Sequence, residues 1–135
     1  MRRSTACLIL PLLTAGCGSM QPSADVPEPS TAQAWSKALN ECRVDALVAL
    51  YHSEALFWPT TSRSLATKPE DVRRYYDAAC KISRMIGMKV GIDSERVIRA
   101  GDAVLSAGQF TASFTDRQGK PQTGSGRFSF AARVV

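Results

Sequence analysis

Apolar residues recur at three- and four-residue spacing in the first part of the chain and at two-residue spacing in the last, which divides the sequence into a helical half and a strand half. Ala34, Trp35, Ala38, Leu39 and Cys42 form one stripe, and Ser30 or Thr31 stands where a helix cap is needed. Val44, Leu47, Val48 and Tyr51 predict a second, short helix. Ala55-Leu56-Phe57-Trp58 then runs into Pro59 as a strand would, with Thr61 to Ala66 as its hairpin partner. Thr67-Lys68-Pro69-Glu70 has the form of a capping box with proline in the first turn, and Val72, Tyr75, Tyr76, Ala79 and Cys80 supply the buried stripe of a third helix.

From Lys89 the period shortens. Val90 and Ile92, then Val97 and Ile98, then Ala103 to Phe114 predict strands separated by Gly101-Asp102 and by Asp116-Arg117-Gln118-Gly119. Side chains alternate across a strand, so Val104, Ser106, Gly108, Phe110, Ala112 and Phe114 share one face. Gly126, Phe128, Phe130 and Ala132 share a face of the last strand, with Arg127 on the other. The phenylalanine faces are expected to meet the helices.

The first twenty residues follow a different logic. Met1-Arg2-Arg3, the apolar run from Ala6 to Leu13 and the small residues of Thr14-Ala15-Gly16-Cys17 are the three regions of an export signal. The run is too short to span a bilayer, which takes about 20 apolar residues, and Pro11 interrupts it. Leu13-Thr14-Ala15-Gly16-Cys17 resembles the lipobox of bacterial lipoproteins, with Thr14 a mild departure. The resemblance implies cleavage after residue 16, lipidation of Cys17 and a membrane-tethered protein of the cell envelope. With Gly18 after the cysteine, that means the outer membrane facing the periplasm if the host has one. Residues 17–30, rich in proline, read as the tether. Residues 31–135 remain as one compact domain, too few for two.

The chain carries 17 Lys and Arg against 12 Asp and Glu, and losing Arg2 and Arg3 lowers the excess from +5 to about +3. The basic residues are scattered, which argues against nucleic acid as a partner. Cys7 would leave with the signal and Cys17 take the lipid, so Cys42 and Cys80 remain, either bridged or as two buried thiols. A bridge would close a loop of nearly forty residues and stabilise by roughly 3 to 4 kcal/mol. His52 is the sole histidine and no Cys-x-x-Cys occurs, so no metal or other cofactor is expected.

Three helices, a hairpin between the second and third, and then long antiparallel strands is the order of the nuclear transport factor 2-like fold, an α+β cone. Trp35-Ser36-Lys37-Ala38-Leu39, Ala46 to Tyr51, Trp58-Pro59-Thr60-Thr61-Ser62, Val72-Arg73-Arg74-Tyr75-Tyr76 and Gly126-Arg127-Phe128-Ser129-Phe130 resemble its bacterial branch. That branch is related to the calcium/calmodulin-dependent protein kinase II association domain and to SnoaL-like proteins. The resemblance implies three N-terminal helices on a curved antiparallel sheet, with a pocket walled by Trp35, Tyr51, Trp58, Tyr75, Tyr76, Phe110, Phe128 and Phe130. It also implies self-association through the opposite sheet face. Relatives carry one further, tryptophan-bearing strand in mid-sheet. The sequence lacks it, leaving three readings: a truncated product, a sheet that closes differently, or a strand donated by a partner.

An arginine in the pocket, as in the kinase hub, is not expected, because Phe110 and Phe130 hold the inward positions. Enzymes of the SnoaL-like kind would need an inward titratable group, for which Asp77, off its helix's apolar stripe, and His52, at the end of the second helix and expected to face solvent, are the candidates. No nucleophile triad or paired carboxylates emerge. The expected function is therefore a lipid-anchored, non-catalytic domain that binds a small apolar ligand and forms homo-oligomers. A SnoaL-like isomerase, cyclase or hydrolase and a structural envelope interaction module are the alternatives.

Overall fold

The computed structural model describes residues 29–133; the expected signal, the lipidation site Cys17 and most of the tether lie outside them. Three helices precede a three-stranded antiparallel sheet: α1 (Thr31–Asn40), α2 (Val44–Ala49), α3 (Pro69–Ile86), β1 (Lys89–Ala100), β2 (Ala103–Thr115) and β3 (Pro121–Arg133). Strand order follows chain order, β1-β2-β3. This is the α+β architecture read from the sequence. Among the described residues β3 has no hydrogen-bonded neighbour on its outer edge, and no helix is long and apolar enough to cross a membrane.

Ser30 caps α1 with a full capping box: its hydroxyl accepts from the Gln33 amide at 3.2 Å and its own amide donates to Gln33 Oε1 at 3.1 Å. The helix ends with the Arg43 amide reaching back to the Ala38 carbonyl and the Cys42 amide to that of Leu39. That pattern needs a left-handed residue, usually glycine. Here it is Cys42, at φ 50°. The last residue of α1, Asn40, pairs its side-chain amide with both backbone groups of Val90, at 2.8 and 2.7 Å, and so fixes the helix to the edge of β1. Gly87, at φ 61°, ends α3 in the same left-handed way.

The stripes foreseen from spacing form the core. Ala38, Leu39, Leu47, Val72, Tyr76, Cys80 and Val90 are buried together, joined by Ala66 from the loop before α3. Two local expectations fail. Lys68, not Thr67, precedes α3, and it makes no side-chain cap, because a cap must accept a hydrogen bond from a backbone amide and an ammonium group can only donate. The foreseen hairpin shrinks to one bridge, Phe57 to Ala66, with bonds of 3.0 and 2.8 Å, since Pro59 cannot continue a ladder.

Cys42 and Cys80 meet as anticipated but are free thiols here, not a bridge. The Cys42 thiol points at the Cys80 carbonyl at 3.6 Å. Burial, reinforced by Cys42, pushes the Cys80 thiol up to about 12.

Candidate functional site

The helices and the sheet face each other across aromatic rings. Trp35, from the middle of α1, packs edge-on against Phe110 at 5.7 Å between centroids and tilts against Phe130 at 6.1 Å. Phe57 stacks on Tyr76 at 5.8 Å and meets Tyr75 edge-on at 5.2 Å. Such pairs add about 0.5 to 1.5 kcal/mol each beyond their buried area.

A chain of polar groups runs through this layer. The Trp35 indole donates to the Tyr76 hydroxyl at 3.0 Å, and the Tyr76 and Tyr51 hydroxyls lie 2.6 Å apart. Burial raises both phenols above their ordinary value, and the Tyr51 hydroxyl pushes Tyr76 further in the same direction. Three N–H and O–H hydrogens thus share two hydrogen bonds. One hydroxyl hydrogen, on Tyr51 or Tyr76, is not used in them.

At the other end of the inner face lies a group that sequence reasoning missed. Val90 and Ile92 face inward, and simple alternation would send Ser94 and Arg96 inward after them. The pairing register instead slips between Ile92 and Ser94, so that Glu95 and Val97 take the inner face. On the outer side the Thr111 hydroxyl donates to the Asp93 carboxylate at 2.8 Å and pins the bulge. The signal was present: Val90 and Ile92 have even numbers and Val97 an odd one, so both sets can be buried only if the strand slips by one residue between them.

Glu95 reaches the start of α1, where the Ser30 hydroxyl donates to its Oε2 at 2.6 Å. Its Oε1 is buried without a partner, and so is the hydroxyl of Ser106. The register aligns these groups in rows: Glu95, Gly108 and Phe128 lie abreast across the three strands, with Val97, Ser106 and Phe130 in the next inward row. Gly108 has no side chain to fill its place, and the Phe128 ring lies over it, with Cζ 2.6 Å from where a Cβ would stand. The ring therefore extends toward the carboxylate, and Phe130 follows at 5.4 Å.

Of the residues foreseen as pocket wall, Trp35, Tyr51, Tyr75, Tyr76, Phe110, Phe128 and Phe130 converge on this inner layer. Trp58 does not: it is 69% exposed, beyond the single bridge at Phe57. Both candidate acid–base groups also lie elsewhere. His52 is exposed after α2, its Nδ1 accepting from the Glu54 amide at 3.2 Å. Asp77 is exposed on the outer side of α3, in a shallow groove of about 550 Å³ shared with Glu70, Arg73, Arg74, Ala78 and Lys81. Neither Asp77 nor His52 shares the inner face with the Tyr76 hydroxyl.

Solved structures of the same fold include a protein from Xanthomonas campestris described as a calcium/calmodulin dependent protein kinase II association domain, 22% identical, with a TM-score of 0.62 over 76% of this chain and 71% of that one. Aln2 from a Streptomyces species is 17% identical, with a TM-score of 0.64 over 78% and 75%. A protein of ketosteroid isomerase-like fold from Catenulispora acidiphila, solved in complex with trimethylamine, is 17% identical, with a TM-score of 0.52 over 79% and 77%. These likenesses show the fold alone. No curated protein matches the chain. The SnoaL-like domain model matches residues 32–134, nearly the whole described span, and the chain belongs to that family.

Proposed function

We propose that this protein is a lipid-anchored envelope protein whose SnoaL-like domain holds a small organic molecule between α1 and the inner sheet face, without transforming it. One observation carries the binding reading: a half-buried aromatic wall ends in buried polar atoms without partners, the Oε1 of Glu95 and the hydroxyl of Ser106. Small-molecule sites combine apolar walls with a few placed polar groups in this way. The trimethylamine bound by the Catenulispora protein is a ligand of that size. Self-association is supported by Ile98 and Leu105, cross-strand neighbours on the outer face that are 52% and 43% exposed.

Full-length protein in detergent, with Trp58 replaced by Phe so that Trp35 alone reports, should change its fluorescence on titration with small aromatic compounds and melt at a higher temperature with them. No response from any compound in a broad screen would sink the reading. Labelled fatty acid should enter the protein and be lost with Cys17→Ser.

The position of Glu95 favours a second reading, proton transfer by a carboxylate on the inner face. It requires turnover of a carbon acid that Glu95→Gln abolishes while binding persists.

A further inference from the structure

We infer that the Glu95 end of the inner face is a recognition site for an organic ammonium group, one bearing at least one N–H. The inference rests on the ligand-binding reading above and specifies its charge. Glu95 is a carboxylate with no cation: the ion pairs among the described residues use Glu41, Asp45, Asp71 and Asp102. Ser30 occupies Oε2, while Oε1 is buried and bare. A carboxylate can only accept hydrogen bonds, so whatever completes it must donate.

Ser106 gives an independent pointer to the same place. It is only 6% exposed, faces inward one row from Glu95, and its hydroxyl has no partner. Folding rarely leaves such a group dry without a use for it. A hydroxyl accepts as well as donates, so one ammonium group can give a hydrogen to Oε1 and a second hydrogen or a close contact to Ser106. Phe128 and Phe130 lie in the same two rows as Glu95 and Ser106, with Trp35 against Phe130, and aromatic faces attract cations when water is excluded. An anionic ligand would meet the carboxylate head-on, and a hydrocarbon would leave both oxygens unserved.

The test compares benzylammonium with benzyl alcohol, which has nearly the same shape and no charge, on the full-length Trp58→Phe protein. Benzylammonium should bind about tenfold tighter or better, a margin that shrinks with added salt. Glu95→Gln should erase the margin by weakening benzylammonium about tenfold or more, and Ser106→Ala should reduce it. A circular dichroism melt of each variant confirms that the fold is intact. If both compounds bind equally to the parent protein, the ammonium site is wrong while the ligand-binding reading stands, and water fills the bare oxygens. If neither binds and the wider screen is also silent, both fail. A margin that survives in Glu95→Gln likewise overturns the assignment.

Discussion

The two ends of the inner face are built from similar materials and treat polar atoms differently. At the α3 end, Trp35, Tyr76 and Tyr51 join in a continuous chain, and every polar heavy atom in it has a partner. At the α1 end, Glu95 keeps one oxygen bare and Ser106 keeps its hydroxyl bare, both buried. Satisfied buried networks stiffen a core, whereas unsatisfied ones cost stability unless something else completes them. The first end is thus mainly structure. The second is a place where the fold gives up stability, the usual mark of a site.

That contrast can be broken by substitution, starting with the glycine that lets the Phe128 ring lie over the strand. Gly108→Ala places a methyl group against the Ser94 carbonyl and that ring, and overpacking of that kind costs about 3 kcal/mol. Chemical denaturation should show it, and an unchanged midpoint would mean that the ring is not held over the strand. Tyr76→Phe comes next. It leaves the Trp35 indole and the Tyr51 hydroxyl without their shared partner and should cost about 2 kcal/mol.

The same end should respond to alkali. Burial raises the Tyr51 and Tyr76 phenols in the folded state, so their contribution is intact below the ordinary tyrosine value of about 10 and is lost as pH rises past it. Cys80, pushed up to about 12, adds loss of the same sign from about pH 9. Replacing both tyrosines by Phe should flatten the fall in melting temperature above about pH 10. A slope unaffected by that double change would assign alkaline sensitivity elsewhere. The smallest effect has the opposite sign: Ser106→Ala removes a hydroxyl that bonds to nothing and should be neutral or stabilise by about 1 kcal/mol without ligand. A clear loss of stability there would mean that Ser106 is structural and that the two ends do not differ as described.

Much of this was legible in the chain. Helical spacing located all three helices, and Cys42 and Cys80 stood on stripes that do meet. Two-residue alternation gave the inner faces of β2 and β3, Phe110, Phe128 and Phe130 included. What failed was whatever depends on events between periodic stretches. Trp58 looked like a strand residue because its neighbours are apolar, but one bridge is all that Pro59 allows. Glu95 escaped because alternation does not carry through a change of parity, and a bulge is an extra residue that no average period describes. Asp77 and His52 stood out as titratable types beside aromatic rings, whereas the titratable group on the inner face belongs to a strand whose two halves point opposite parities inward.

The bulge at Asp93 has one more consequence. Beyond it, β1 has two conceivable ways to lie against β2: the observed one, which turns Glu95 and Val97 inward, and one shifted by a residue, which would turn Ser94 and Arg96 inward. A ligand gripped by Glu95 can bind only the first. Occupancy would therefore act as a latch on strand register, and slow amide exchange spreading from Ser94 toward Ala100 would be its trace.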